Sequence, residues 1–437
     1  MASSKQMLSS LASRPLLESA ARKIVLSGPS GFLGTHVLDS ILDVHQIRIE
    51  NGEEPGEVIL LSSSPGNMMR RLESKYGEKK MKTIRASRVD YFTQHSVDTW
   101  RDHLGSLGVL GDKATFVNLA AVAGPIPGKL DAMMDVNYLA PIAAAKACEQ
   151  LGFGHWVQSS TQATNAERAG QVPYSRHKAM ADFALTRIEE LPVTIACLGL
   201  IYSKADGLIG QSRDSQATLN LIDLSLLPLT PIMGNGSAPL QPQEVTDAAQ
   251  RIVYLAMTDP SLRPVQLKQM SQQQLPKCPQ VDTVRFYDAV GPETISILEM
   301  LQRFASYQGV GRSFRPVHVD YRNMERVLNV KSLGNLNRQF VSLLRSEQDA
   351  DRPIIGNPDV WASLLGDGSA LTTMDEAFQK NNTACGDTRR FPYLATIQWA
   401  LQNPRVIPPG IALGAEILHA YLFLPEAGRL LHEKNRN

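Results

Sequence analysis

Lys23-Ile24-Val25-Leu26-Ser27 runs directly into Gly28-Pro29-Ser30-Gly31-Phe32-Leu33-Gly34. The first five residues form a short apolar run, which reads as a strand buried on both faces. From Thr35 to Val44, the apolar residues Val37, Leu38, Ile41, Leu42 and Val44 recur at helical spacing. The glycines therefore occupy a turn from strand to helix. That turn needs backbone freedom at Gly28. An anionic group reaches the helix N-terminus only where no side chain blocks it, at Gly31. The helix seats closely on the strand only where a Cβ is missing, at Gly34. The unpaired N–H groups and the helix dipole then attract a phosphate, and Ser30, Phe32 and Leu33 complete the candidate cradle.

The same alternation continues outward. Val58–Leu61, Ile84–Val89, Thr115–Leu119, His155–Gln158 and Val193–Leu198 read as strands. Helical patterns fill the gaps at Met68–Tyr76, Asp131–Leu151 and Tyr174–Glu190. Strands alternating with helices predict an α/β fold, a doubly wound parallel sheet covered on both faces. After Tyr202 the rhythm breaks. Residues 203–240 are rich in Gly and Pro, Glu244–Met257 reads as a helix, Gln266–Gln280 is Gln-rich, Val284–Ala289 reads as a strand and Ser296–Tyr307 as a helix. The expected division is a leader at 1–22 and a nucleotide-binding domain at 23–202, with returning segments near 241–257 and 284–290. An interleaved substrate lobe at 203–345 and a helical extension of unknown role at 346–437 follow.

Composition narrows the function. The 437 residues are 43% hydrophobic and 20% charged, the mix of a globular protein. A net charge of +1 gives no electrostatic case for a nucleic-acid partner. The longest apolar stretch, Val406–Leu424, contains Pro408, Pro409, Glu416 and His419 and makes a poor transmembrane helix. Cys148, Cys197, Cys278 and Cys385 are scattered, with no metal-binding spacing, and suit a reducing compartment. The Ser/Ala-rich leader has three basic residues and one acid; it reads as a cytoplasmic protein's loose N-terminus, with a mitochondrial transit peptide as the alternative.

Two further stretches bear on chemistry. In NAD binders an acid at the end of the second strand bonds the ribose 2′-OH. Here that strand ends Leu61-Ser62-Ser63-Ser64, and Arg70 and Arg71 follow. Hydroxyls and guanidinium groups suit a 2′-phosphate, so NADP(H) is favoured over NAD(H), with Ser63 and Arg70 as candidate contacts. Tyr174-Ser175-Arg176-His177-Lys178 places a phenol and an ammonium one helical turn apart. A phenol with an ordinary pKa of about 10 works near neutrality only if its phenolate is stabilised, which the lysine does.

The G-x-x-G-x-x-G spacing followed by this Y-x-x-x-K resembles the short-chain dehydrogenase/reductase superfamily, in its extended and atypical branches. The resemblance implies a Rossmann-type sheet with a small C-terminal substrate lobe. It also implies roles for particular residues. Asp90 takes the position that contacts adenine. Leu119-Ala120-Ala121, after Asn118, matches the segment beside the nicotinamide ribose. Asn137 lies on the following helix, where the family often has Asn. Ser160 takes the catalytic hydroxyl position, with Thr161 as its alternative, and Lys178 both tunes Tyr174 and holds the ribose. Gln241-Pro242, Val245-Thr246-Asp247 and Gly291-Pro292-Glu293 resemble later segments of the atypical branch, which includes the 39-kDa subunit of respiratory complex I.

The resemblance implies an NAD(P)-dependent oxidoreductase acting on a carbonyl or secondary alcohol of a small molecule. Two alternatives stand beside it. One is a cofactor-holding subunit of a larger complex, and the other a sugar-nucleotide epimerase or dehydratase. The short spacing between Ser160 and Tyr174 weighs against the epimerase. Many members of the superfamily pair as homodimers. Leu371–Ala377 carries a helix-start signal with Thr373 as N-cap.

Overall fold

The central strand β1 (Lys23–Ser27) pairs in parallel with β2 (Glu57–Ser62) on one side and β4 (Ala114–Asn118) on the other. Beyond β2 lies β3 (Ile84–Arg88). Beyond β4 lie β5 (His155–Thr161), β6 (Val193–Leu198) and β11 (Val284–Ala289). All seven strands are parallel, in the order β3-β2-β1-β4-β5-β6-β11. This is a computed structural model, and it describes residues 23–122, 131–165, 173–202, 230–260, 284–307, 314–319, 356–359, 361 and 371–379.

Parallel strands need crossovers, and the helices that make them cover both faces. On one face lie α1 (Phe32–Glu50), α2 (Pro65–Met81) and, arriving later in the chain, α6 (Val245–Met257). Their core includes Val37, Ile41, Met68 and Ile252 against Ile24, Leu26, Val58 and Leu60. On the other face lie α3 (Val97–Ser106), α4 (Ala140–Gln150) and α5 (Pro173–Leu185), packed through Trp100, Leu104, Ala144 and Leu185 onto Val25, Ile59 and Phe116. Neighbouring residues of β1 thus enter opposite cores, which is why the strand shows no polar alternation. Strand order reverses between β1 and β4, and in open sheets of this kind ligands sit at the carboxyl ends beside such a switch.

A third core joins Tyr202, Ile232, Ile295, Met300, Leu301, Phe304, Met374 and Ala377. It holds short ladders: β7 (Ile201–Tyr202) with β10 (Gln243–Glu244), β9 (Pro239–Leu240) with β12 (Ile295–Ser296), and β8 (Thr230–Met233) with β13 (Pro316–Val319). The helix α7 (Ile297–Tyr307) lies beside them. A short helix α8 (Met374–Gln379) starts at Thr373 in a reciprocal cap. The Thr373 hydroxyl accepts from the Glu376 N–H, and the Glu376 carboxylate accepts from the Thr373 N–H.

Several extents differ from the sequence reading. The helix read at Asp131–Leu151 is broken: a π-helical turn, Asp135–Leu139, separates Ala132–Met134 from α4. The strand read as His155–Gln158 runs on to Thr161, and the helix read as Tyr174–Glu190 ends at Leu185. The helix α3 has no counterpart in that reading. Residues 1–22, Gln266–Gln280, 203–229 and most of 346–437 lie outside the described residues. Among the described residues no helix is long and apolar enough to cross a membrane.

Candidate active site

The turn after β1 has the conformation its glycines permit. Gly28 sits at φ +66°, and a Cβ there would lie 2.9 Å from the Ala120 nitrogen. A Cβ on Gly34 would lie 2.0 Å from the Gly28 carbonyl oxygen. Gly31 is the N-cap of α1 and offers no side chain, and no acid stands in the first turn. The helix therefore presents its first N–H groups at the carboxyl edge of the sheet with no side-chain cap. Ser30 is exposed there, and Phe32 and Leu33 are half-buried, Phe32 packing edge-on against His36.

A buried polar chain connects this turn to α5. The Ser27 hydroxyl donates to Asn118 Oδ1 at 2.6 Å and accepts from the Leu119 and Ala120 N–H groups. Asn118 Nδ2 donates to Gln158 Oε1 at 3.0 Å. Gln158 Nε2 donates to the Ser159 carbonyl at 3.1 Å, and Lys178 Nζ donates to that same carbonyl at 2.9 Å. Each member is satisfied by the next, so the chain crosses β1, β4 and β5 without an orphaned group. Leu119-Ala120-Ala121 is thereby held beside the glycine turn. Asn137, in the π-helical turn, bonds both the N–H and the carbonyl of Val122 at 2.8 Å. Its amide fixes the end of that segment.

On α5, Tyr174 is half-buried in the first turn and Lys178 is 1% exposed one turn later. Burial pushes the Lys178 ammonium down to about 8, and the Asp182 carboxylate works against that fall. Asp182, one further turn along and also 1% exposed, accepts a 2.5 Å hydrogen bond from the Ser160 hydroxyl. Ser160 thus faces α5 from within the core, while Thr161 is half-buried at the strand's end, its hydroxyl accepting from the Ala163 N–H at 3.3 Å. Asp182 and Gln158 went unread in the sequence. Asp182 carried a usable signal, since it repeats the four-residue step from Tyr174 through Lys178.

The candidate contacts at the other edge are spread out. Ser63 and Arg70 are exposed after β2, and Arg70 donates to Asn67. Asp90 is exposed after β3, with its Oδ1 accepting from the Phe92 N–H at 3.1 Å in a local turn.

No family model matches the chain, and no curated protein matches it in sequence. Solved structures do. The chain is similar to dTDP-glucose 4,6-dehydratase from Bacillus anthracis in complex with NAD, at 13% identity and a TM-score of 0.52, over 84% of this chain and 99% of that one. It is similar to UDP-glucuronic acid 4-epimerase from Bacillus cereus in complex with UDP-glucuronic acid and NAD, at 14% identity and a TM-score of 0.50, over 82% of this chain and 96% of that one. The chain shares the α/β fold of these two NAD-binding enzymes, a parallel sheet with helices on both faces. At such identities the likeness concerns architecture. It reaches past the seven-stranded sheet, since nearly the whole length of each enzyme is matched.

Proposed function

We propose that the chain binds a nicotinamide dinucleotide along the carboxyl edge of the sheet and interconverts a carbonyl and a secondary alcohol on a small-molecule substrate. The observation that carries this reading is the seating of Lys178. It is buried one turn behind Tyr174 and joined through Ser159, Gln158, Asn118 and Ser27 to the base of the glycine turn. A surface lysine at a chance Y-x-x-x-K would have neither the burial nor the chain.

When bound, the dinucleotide supplies or accepts the hydride. The chain's residues do the rest. Gly28, Ser30, Gly31, Phe32, Leu33 and Gly34 form the cradle for its pyrophosphate, and Leu119-Ala120-Ala121 lines the nicotinamide side. In reduction, Tyr174 gives its phenolic proton to the substrate oxygen as hydride reaches the carbon; in oxidation it takes that proton back. The Lys178 ammonium stabilises the phenolate and holds the ribose. Because the Ser160 hydroxyl is committed to Asp182, Thr161 is the hydroxyl that orients the substrate oxygen in this reading. NADP(H) is favoured over NAD(H), because Ser63 stands where an acid would bind the ribose 2′-OH. The NAD bound to the two similar enzymes belongs to those proteins.

The same Ser160–Asp182 bond favours a second reading, in which the chain holds the cofactor without turnover. A panel of carbonyls and secondary alcohols, nucleotide sugars included, separates the two. Tyr174→Phe is expected to abolish turnover while cofactor affinity stays within about twofold, because the phenol acts on the transition state. Turnover that survives the substitution contradicts the mechanism. A wild-type chain that binds cofactor and turns over nothing supports the second reading.

A further inference from the structure

Arg88 ends β3, and the strand register sets it beside Ser62, the last residue of β2. Paired residues of parallel strands point to the same face. The row Val58, Leu60, Ser62 therefore shares a face with Ile84, Ala86, Arg88. Val58, Leu60 and Ile84 lie in the core beneath α1 and α2, and Ala86 packs against it. Ser62 and Arg88 continue that row beyond the core, at the carboxyl edge and on the side where α1 begins. The glycine turn leaves β1 two strands away, about 10 Å across the sheet.

Arg88 is exposed, and among the described residues no hydrogen bond or ion pair engages its guanidinium. Nearby cations differ. Arg85 pairs with Glu57, Lys75 pairs with Asp39, and Arg70 is bonded to Asn67. No carboxylate stands at Ser62-Ser63-Ser64, and Asp90 is turned to the Phe92 N–H. Among the described residues the edge thus keeps an unengaged guanidinium where a dinucleotide on the glycine turn would bring its adenosine ribose.

We propose that Arg88 binds the 2′-phosphate of NADP(H) and is the residue that sets cofactor choice. The proposal rests on the reading above that a dinucleotide occupies the glycine turn. A guanidinium forks onto two phosphate oxygens with charge-assisted hydrogen bonds, whereas the 2′-OH of NAD(H) offers it no anion. Arg88 therefore contributes to one cofactor and little to the other. A merely solvated arginine would contribute to neither.

The test titrates the full chain and its Arg88→Gln variant with NADPH and with NADH, followed by nicotinamide fluorescence. Displacement of bound NADPH by adenosine 2′,5′-bisphosphate and by adenosine 5′-monophosphate is measured alongside. The substitution is expected to raise the NADPH dissociation constant about tenfold or more and to leave that for NADH within about twofold. The bisphosphate should displace better than the monophosphate from the wild type but not from the variant. Unchanged NADPH affinity, or equal loss for both cofactors, overturns the proposal. So does a wild type that binds NADH alone, although dinucleotide binding then stands. A wild type that binds neither cofactor overturns both readings.

Discussion

Lys178 is an ammonium in a place that disfavours charge, and Asp182 is what holds it there. Burial takes its pKa down to about 8 from an ordinary 10.5, and the Asp182 charge keeps it from falling further. Asp182 is the charge that acts against the effect of burial. As pH rises through about 8 the ammonium loses its proton, and in the proposed mechanism Tyr174 then loses the charge that stabilises its phenolate. The rate is therefore expected to fall on that alkaline limb. Asp182→Asn keeps an acceptor for the Ser160 hydroxyl and removes the charge, so the limb should move to lower pH. A profile of kcat/KM against pH reads this, and a limb that stays in place counts against an electrostatic role for Asp182. The pKa is depressed, so the unfolded chain binds the extra proton between about pH 8 and 10.5, and stability rises with pH across that window.

At the scale of elements, α1 can lie against β1 only because Gly34 is bare. A methyl group there would stand 2.0 Å from the Gly28 carbonyl oxygen, so Gly34→Ala forces helix and turn apart. The expected loss is about 1–3 kcal/mol in denaturant unfolding, with cofactor binding weakened as the cradle opens. Stability and affinity both at wild-type values would show that the seat tolerates a methyl group. The strand–turn–helix unit was legible in the sequence because its glycines and its doubly buried strand are local signals. The helix α3 was not. Of its ten residues only Trp100 and Leu104 are buried, too few to show a period, and its N-cap, Ser96 accepting from the Thr99 N–H, was the signal available. The two-residue ladders β7–β10 and β9–β12 were illegible for a different reason. They are fixed by tertiary packing around Tyr202 and Met300, and two residues carry no pattern. In the candidate site the Tyr174–Lys178 step and the glycines were readable. The direction of the Ser160 hydroxyl was not, since it depends on which face of β5 meets α5.

For the whole molecule, the segment after residue 345 is no appendage where it is described. Trp361 is fully buried, packs on Tyr254 and Tyr287 and against the Arg251 guanidinium, and donates to the Asp288 carbonyl at 2.9 Å. Thr372 bonds the Asp247 carboxylate, and Gly356 bonds Gln241 in both directions. These contacts explain why α6 is buried on all sides, with even Arg251 at 0% exposure. Trp361→Ala should cost about 3–5 kcal/mol in global unfolding, the range for an aromatic removed from a core. A loss below about 1 kcal/mol would mean that the extension stabilises little. The central claim is that this folded unit holds a nicotinamide dinucleotide at the glycine turn. Titration of the full chain with NADPH and NADH, read by nicotinamide fluorescence, tests it most directly. Saturable binding of one dinucleotide per chain, NADPH the tighter, is the predicted result. No binding of either would contradict the account from the glycine turn onward.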